Sequence, residues 1–429
     1  MDVSPGNSRQ EVISMRLLRL EMKRMIKTKS TMLLLSLAVL LSVLMAWLPV
    51  TFCDSSYTDD KGNTVQLHGL KAIQHEKKLQ EEIKGMVTPE KVRTAVENYQ
   101  SCLEKYGVKE SLDLPEGVYE EEILPYAPLL HGVKEAFADP DTGIGASIMD
   151  IDPEEVDKYY AVCEKRILSL MKMEQQEYPA AQKVAVAMYD QVKKPYEIYP
   201  GYNTDAMDYQ MLLAYVLVLL CTVIAAPVFT SDYQTGADDI LRCTKYGTVK
   251  LAITKIMSAF FISGATYALC ASVSILVSNY LFGWECTKTS IQMLFSIVNL
   301  PAMNIGQMQY FIAVTGLLCL LATISFTLYL SSKFKNVVAS LSTALLFCVL
   351  PVIIYMALPE EIGNWIYPVL PASGVGLQAS IFYAAIDFNF WNIGDMAIWT
   401  PYVMIAANLI EIPLFAFLTI HSYATHKGN

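Results

Sequence analysis

Six long stretches with few or no charged residues recur along this chain, and they limit the folds open to it more than any other feature. A helix needs about 20 apolar residues to cross a bilayer. In lipid the backbone must satisfy its own hydrogen bonds, which favours helices for segments of this length. The sequence therefore predicts an all-α polytopic membrane protein. Its six transmembrane helices are expected at residues 31–51, 209–231, 250–283, 309–331, 336–358 and 399–421.

The first of these stretches could also be the apolar core of a signal peptide. It is longer than such a core usually is, and no small-residue cleavage site follows Val50. We therefore expect it to remain in the protein as a membrane anchor.

A seventh apolar stretch, residues 362–386, is interrupted by two prolines and two glycines. Such breaks suit short re-entrant or interfacial helices better than a complete crossing. A crossing would also leave residues 387–395 in the cytoplasm without a single lysine or arginine. We therefore predict short extracellular or re-entrant helices at 359–397.

The basic residues predict the orientation of the chain in the membrane. Cytoplasmic loops carry an excess of Lys and Arg. With both termini in the cytoplasm, the cytoplasmic pieces hold 14 basic residues, whereas the two short outer connections hold only Lys288. All five tryptophans then fall at or beyond the outer ends of spans, where interfacial aromatics are expected. We predict a protein of the cell membrane with a cytoplasmic tail at 422–429.

Residues 52–208 form a hydrophilic block between the first two spans, predicted to be an extracellular helical domain. This block holds 17 basic and 30 acidic residues, and its negative charge argues against nucleic-acid binding. Helix starts are predicted at Thr88-Pro89-Glu90 and Asp152-Pro153-Glu154, where an N-cap acceptor precedes a proline. Helices of about 25 residues are expected after each, the second over residues 156–178.

Nine cysteines are scattered through the chain without a CxxC pair, so no zinc or redox motif is present. Four of them fall outside the cell in the predicted topology. A disulfide among these four and four free thiols both remain open, because spacing alone cannot pair them. The four are Cys53, Cys102, Cys163 and Cys286.

The first 30 residues are predicted to form a cytoplasmic basic amphipathic helix. Within residues 11–27 the apolar side chains fall broadly on one side and the basic side chains occupy the rest. Such a helix lies in the membrane interface with its cations toward lipid phosphates. The alternative is that it serves only as a topology anchor.

The sequence offers no enzyme chemistry. His75-Glu76 opens like the helix of a zinc protease, but the second histidine is missing, because position 79 is Leu79. No phosphate-binding loop with the required glycines and lysine occurs. We therefore expect no catalytic residues, metal site or cofactor in this chain, and any ATP must be bound by a separate subunit.

One acidic residue, Glu411, falls inside the last apolar stretch. A carboxylate in the middle of a bilayer costs about 2.5–3.5 kcal/mol on insertion scales, so it normally faces protein or water. The favoured interpretation is structural, with Glu411 hydrogen-bonded to a neighbouring helix. The alternative is functional, with Glu411 lining a translocation route or coupling to a proton. Pro413, two residues on, could free a nearby carbonyl.

The connection between the second and third spans carries the strongest resemblance to a known family. It reads FTSDYQTGADDILRCTKYGTVKLAITK from Phe229 to Lys255. This stretch resembles the cytoplasmic segment of type-2 ATP-binding-cassette permeases, which include drug, polysaccharide and bacteriocin-immunity exporters. The resemblance covers the membrane part of the chain, and the large block resembles the enlarged outer domains of some bacterial subfamilies. The matching positions are Phe229, Asp232, Gly236, Leu241, Thr244, Gly247 and Lys255.

The resemblance implies an exporter permease that works as a homodimer or beside a related subunit. A partner ATPase would bind ATP and Mg²⁺, and the lipid bilayer would surround the spans. Residues 232–249 would form a coupling helix that docks in the ATPase and transmits its closure. In that helix Asp232 would be the N-cap and Gly236 would permit close packing, while Arg242 and Lys245 could pair with acids of the partner. The alternative is an ordinary cytoplasmic loop.

Two other functions compete with export of a hydrophobic or amphiphilic substrate. A membrane receptor could bind a cationic peptide through the acidic block, but the cytoplasmic pieces are short for a sensor unless a partner signals. A membrane enzyme would need a His/Asp/Glu cluster, and the sequence offers none.

Overall fold

A computed structural model describes residues 5–59, 63–115 and 117–426. Within these residues, six helices are long and apolar enough to cross a membrane. This confirms the predicted number of spans and the mainly helical, multi-pass architecture. We call these helices spans 1 to 6. They are Lys29–Trp47, Asp205–Ala225, Val249–Phe282, Ile305–Lys333, Val337–Ala357 and Thr400–Thr425.

Spans 2 and 4 form the centre of the bundle, and the other four surround them. About two thirds of the apolar windows of spans 2 and 4 is buried, against 28–33% for the other spans. Span 4 packs against spans 2, 3, 5 and 6. The outer four spans therefore present most of their apolar surface to the surroundings, as expected for helices that face lipid.

Small and hydroxyl-bearing residues line the contacts between spans. The hydroxyls of Thr323 and Thr327 donate to the carbonyls of Cys319 and Thr323, both at 2.8 Å, so they are satisfied within their own helix. A Cβ atom on Gly316 would overlap the Tyr267 hydroxyl of span 3. Glycine at this position therefore allows spans 3 and 4 to approach closely, as is common in membrane bundles.

The large block between spans 1 and 2 is mainly helical, as predicted, but it also contains two pairs of strands. Asp54–Thr58 pairs antiparallel with Thr64–His68, and Gly85–Met86 pairs with Glu197–Ile198. The first hairpin was not predicted, although apolar and polar residues alternate along its second strand. The α-helices of the block are Leu70–Leu79, Pro89–Tyr106, Ala127–Ala136, Tyr159–Glu174 and Pro179–Tyr189.

The first predicted helix start in the block is confirmed. The Thr88 side chain caps the helix by accepting from the Lys91 amide, Pro89 is its first residue, and Gly107 ends it with φ +66°. The helix has 18 residues, fewer than the expected 25. It stops early because the left-handed glycine provides the C-cap.

The second predicted helix start is wrong in position. The Asp152 carboxylate accepts from the Glu154 amide at 2.9 Å, which closes a local turn rather than an α-helix. A 3-10 turn, Glu155–Lys158, follows, and the α-helix begins only at Tyr159 and ends at Glu174.

The connections between spans 3 and 4 and between spans 5 and 6 pack into the core of the large block. Ile297 of the first connection and Phe390 of the second are buried in that core. The Glu135 carboxylate accepts from the Ile297 amide at 2.9 Å, and the Tyr189 hydroxyl donates to the Ile297 carbonyl at 3.0 Å. Gln175 donates to the Phe388 carbonyl at 3.1 Å. We call this assembly of three connections the composite domain.

The composite domain brings together, at one end of the bundle, the connections that follow spans 1, 3 and 5. Successive connections of a chain that crosses a bilayer six times lie on opposite sides of it. The packing therefore agrees with six crossings. The helix Pro5–Ile26 packs along span 3, and the link between spans 2 and 3 packs against spans 4 and 5.

The stretch between spans 5 and 6 forms no seventh spanning helix. As predicted it contains short helices, Glu360–Ile366 and Ile381–Ile386. It also contains two strand pairs that were not predicted, Val375–Gly376 with Ala379–Ser380 and Phe390–Ile393 with Met396–Trp399. These short elements bond to one another and to neighbouring protein groups: the Cys319 thiol of span 4 donates to the Ser373 carbonyl at 3.0 Å, and Asn299 donates to the Ile386 carbonyl at 2.8 Å.

All nine cysteines are free, so no disulfide forms among the four considered above. Cys102 and Cys163 are buried in the core of the composite domain. Cys286 is buried elsewhere, where its thiol donates to the Pro200 carbonyl at 2.9 Å. These thiols act as small core residues.

The Glu135 contact gives a test of the composite domain. Replacing Glu135 by Ala leaves the partly buried Ile297 amide without its acceptor, and we expect a loss of about 1–3 kcal/mol in unfolding free energy. The matched control is Glu104→Ala, which removes an exposed carboxylate from a helix of the same domain. Denaturant unfolding of the purified protein, followed by tryptophan fluorescence, measures both. Equal curves for the two variants would contradict the contact.

Candidate functional site: the link between spans 2 and 3

The link between spans 2 and 3, residues 226–248, contains two short helices rather than one. The first is Pro227–Thr235 and the second is Ala237–Arg242. Gly236 lies between them in the left-handed region, with φ +68°. Such a conformation favours glycine, because a Cβ atom would strain it.

Two predicted roles in the link are therefore wrong. Asp232 is no N-cap, because it lies inside the first helix. Gly236 does not serve close packing, since a Cβ atom there would meet no described atom within 4 Å. Gly247 does so instead, because its Cβ would overlap the Leu241 carbonyl.

The buried Asp232 carboxylate lies at the centre of an ionic network that runs from the buried Lys255 to the exposed Arg24. It accepts from Lys255 Nζ of span 3 and from Arg24 of the Pro5–Ile26 helix, the second at 3.0 Å. Arg24 also pairs with Glu21 at 2.9 Å. Removing charges from water is costly unless they are paired and hydrogen-bonded, and Asp232 meets both requirements.

Lys255 is 0% exposed, and its surroundings explain how a lysine is tolerated there. Besides Asp232, its ammonium donates to the Val228 carbonyl at 2.9 Å. It also lies 4.9 Å from the centre of the Phe229 ring, a cation–π arrangement. Phe229 is itself fully buried, so the predicted coupling residues Phe229, Asp232 and Lys255 form an internal cluster.

Arg242 joins the link to the end of span 6. Its guanidinium donates to the carbonyls of Tyr423 and His426, the second at 2.8 Å, and stacks 4.5 Å from the Tyr423 ring centre. Carbonyls at a helix end lack partners within the helix, and a cation there is favourable. Burial and the nearby guanidinium lower the pKa of His426. Arg242 is thus occupied within the chain instead of being free for a partner's acids.

The exposed part of the link is the second helix and the turn after it. Ile240 is 74% exposed, whereas Leu241 is half-buried against the core. Asp239 and Lys245 are exposed beside it. The sequence analysis singled out Leu241 and missed Ile240, because adjacent apolar residues do not reveal which one faces outward. That orientation depends on the left-handed turn at Gly236.

Glu411 lies far from the link in sequence and is only 8% exposed in span 6. Its Oε2 atom is buried and has no hydrogen-bond partner among the described residues. The Oε2 atom therefore does not make the hydrogen bond to a neighbouring helix that the favoured interpretation expects.

Comparison with models of known protein families gives no match to this chain. Comparison with curated proteins gives no significant match either. The resemblance of the link to type-2 permeases thus stands on the residues alone.

The ionic network predicts a ranked set of stabilities. Asp232→Asn leaves Lys255 buried without its counter-ion, and we expect a loss of about 3–5 kcal/mol. Lys255→Met leaves Asp232 paired with Arg24 and should cost less. Asp239→Asn, on the exposed second helix, is the matched control and should have no effect. Thermal unfolding of the purified variants measures the order, and an Asp232→Asn protein as stable as the control would contradict the network.

Proposed function

We propose that this chain is the permease subunit of an ATP-binding-cassette exporter. Two permeases, either identical or related, would assemble with two ATPase subunits that bind ATP and Mg²⁺. The substrate would be a hydrophobic or amphiphilic molecule such as a peptide, lipid or drug. Six apolar helices and a short helix in the link between spans 2 and 3 support this proposal.

The observation that carries the proposal is the exposed Ile240 on a firmly attached helix. In this proposal Ile240 is the apolar centre of the contact with the ATPase, and the charged residues beside it form the polar rim. The link that bears it is tied to the Pro5–Ile26 helix through Asp232–Arg24, to span 3 through Asp232–Lys255, and to span 6 through Arg242. A push on the second helix would therefore reach several spans together as rigid-body motion.

In this proposal the link faces the cytoplasm and the composite domain lies outside the cell. The distribution of basic residues supports this orientation. Both ends of the chain would then be cytoplasmic, and the Pro5–Ile26 helix would lie along the inner membrane surface.

A receptor for a cationic peptide is the second candidate, and one cleft favours it. Three carboxylates and three aromatic side chains line a cavity of about 250 Å³ where the composite domain meets the end of span 5. Acids combined with aromatic rings suit a cationic ligand. The residues are Glu174, Glu177, Glu361, Tyr178, Trp365 and Phe390.

The docking surface is tested by co-expression and co-purification with an ATP-binding-cassette ATPase sought among the neighbouring genes. Ile240→Glu should reduce ATPase recovery at least tenfold, because it places a charge at the centre of the contact. The matched control is Ile144→Glu, which alters an isoleucine of the composite domain that is 70% exposed. Unchanged recovery with Ile240→Glu would overturn docking at this helix, and a stable permease without any bound ATPase would favour the receptor.

The orientation is tested with thiol labelling of cells. Cys243 in the link is the one fully exposed cysteine of the nine. Burial and the nearby Glu76 raise the pKa of Cys53 to about 11, so its thiol should react slowly. A membrane-impermeant maleimide should label Cys243 only after the cells are permeabilised.

The complementary variant is Leu112→Cys in a Cys243→Ser background. Position 112 is 91% exposed on the composite domain, so the new thiol should be labelled in intact cells. Labelling of Cys243 in intact cells, with position 112 protected, would reverse the proposed topology and exclude the exporter.

A further inference from the structure

Glu411 occupies an unusual position for an acidic residue. It lies in the middle of span 6, a helix with mean hydropathy 2.1 over its apolar window, and its side chain turns into the bundle. The Oε2 atom is buried without a hydrogen-bond partner among the described residues. An ionised carboxylate in such surroundings would lose its hydration without a hydrogen bond or an ion pair to compensate for it.

The elements packed against span 6 supply no cation to Glu411. Span 4 brings the Cys319 thiol near Glu411, and its one charged residue, Lys333, is the last residue of that helix. Span 3 carries its two charged residues, Lys250 and Lys255, in its first two turns, and Lys255 is engaged in the ionic network. The other elements packed on span 6 carry no charged residue: they are the Ile381–Ile386 helix, the turn Tyr367–Val369 and the strands Phe390–Ile393 and Met396–Trp399.

Other polar groups gather beside Glu411 and remain partly unsatisfied. The Cys319 thiol donates to the Ser373 carbonyl at 3.0 Å, and the Ser373 hydroxyl is buried without a partner among the described residues. Asn408, one helical turn before Glu411, is buried with its amide near Gly374, which Cys319 also approaches. Glu411 therefore lies near buried polar groups of span 4, of span 6 and of the segment between spans 5 and 6.

We propose that Glu411 is a proton-binding site within the membrane, holding its proton as a neutral carboxylic acid at neutral pH. A buried carboxyl group with no cation to pair with becomes neutral by binding a proton. A metal cation fits less well, because it would need several further oxygen ligands. Within the described residues no cluster of three or more His, Cys, Asp or Glu side chains is present to supply them.

Glu411 lies where a movement of span 6 against span 4 would change its access to protons from water. Span 6 packs more extensively on span 4 than on any other element. Pro413 cannot donate to the Leu409 carbonyl, which loosens the helix one turn from the carboxyl group. Water reaching Glu411 when these helices separate would let the acid release its proton, and repacking would favour its return. This proposal goes beyond export and does not depend on an ATPase.

An apolar carbodiimide tests the protonation state directly. Dicyclohexylcarbodiimide enters membranes and adds to protonated carboxyl groups, so wild-type protein in membranes at pH 7 should carry one adduct at Glu411, located by peptide mass spectrometry. A water-soluble carbodiimide, which labels exposed acids such as Asp239, should leave Glu411 unmodified. Absence of the apolar adduct from folded wild-type protein would overturn the proposal.

Glu411→Gln provides the matched variant, because glutamine has nearly the shape of the protonated acid. It should abolish the adduct, yet elute and unfold like the wild type at pH 6. A variant that fails to fold would indicate that the ionised carboxylate is required, which would overturn the proposal. Titrating NaCl against the labelling reaction at constant ionic strength separates the ligands. Dose-dependent protection by Na⁺ would identify a metal cation site instead, whereas protection only by raised pH supports a proton.

Discussion

Lipid offers no hydrogen bonds to a peptide group, and most of this architecture follows from that constraint. Each apolar stretch must satisfy its own backbone, so each becomes a helix. Spans 2 and 4 bury the largest share of their apolar residues and occupy the centre of the bundle. Hydroxyls such as that of Thr323 bond to their own helix, and glycine at position 316 lets helices touch. Where irregular backbone between spans 5 and 6 enters the bundle, protein groups satisfy it, as when the Cys319 thiol of span 4 donates to the Ser373 carbonyl.

The irregular connections at one end of the bundle also satisfy their backbone groups within the protein, by packing together. The segments between spans 3 and 4 and between spans 5 and 6 are too short to build cores of their own. They complete the core of the large block, where Tyr189 and Tyr196 both donate to the Ile297 carbonyl and Glu135 accepts from the amide of that residue. The composite domain is therefore bonded to connections that enter spans 4 and 6. At the opposite end the link joins span 3 to span 6. Span 6 is therefore attached at both ends of the bundle.

Sequence reasoning succeeded where a local pattern determines structure and failed where a distant partner decides it. Hydropathy and length were sufficient for the six spans, and Thr88-Pro89 was sufficient for one helix start. Alternation in residues 64–68 was a usable signal that was overlooked. Asp232 could not be placed, because Arg24, one of its two partners, lies 208 residues away in the chain. The exposure of Ile240 rather than Leu241 depends on the backbone conformation at Gly236, which no local pattern of apolar residues contains.

Two acids in apolar surroundings show why charge inside a membrane protein cannot be interpreted from position alone. Asp232 follows span 2 closely, and Arg24 and Lys255 from two other helices pair with it. Glu411 lies deeper in an apolar helix, and no cation of the described residues pairs with it. The same chemical group thus serves two opposite purposes. The ion pairs of Asp232 fix helices to one another, whereas Glu411 forms no ion pair between spans 4 and 6 among the described residues. Ion pairs therefore hold the helices together at the link, whereas spans 4 and 6 meet around Glu411 through packing and through the Ser325 hydroxyl, which donates to the Ile412 carbonyl at 2.8 Å.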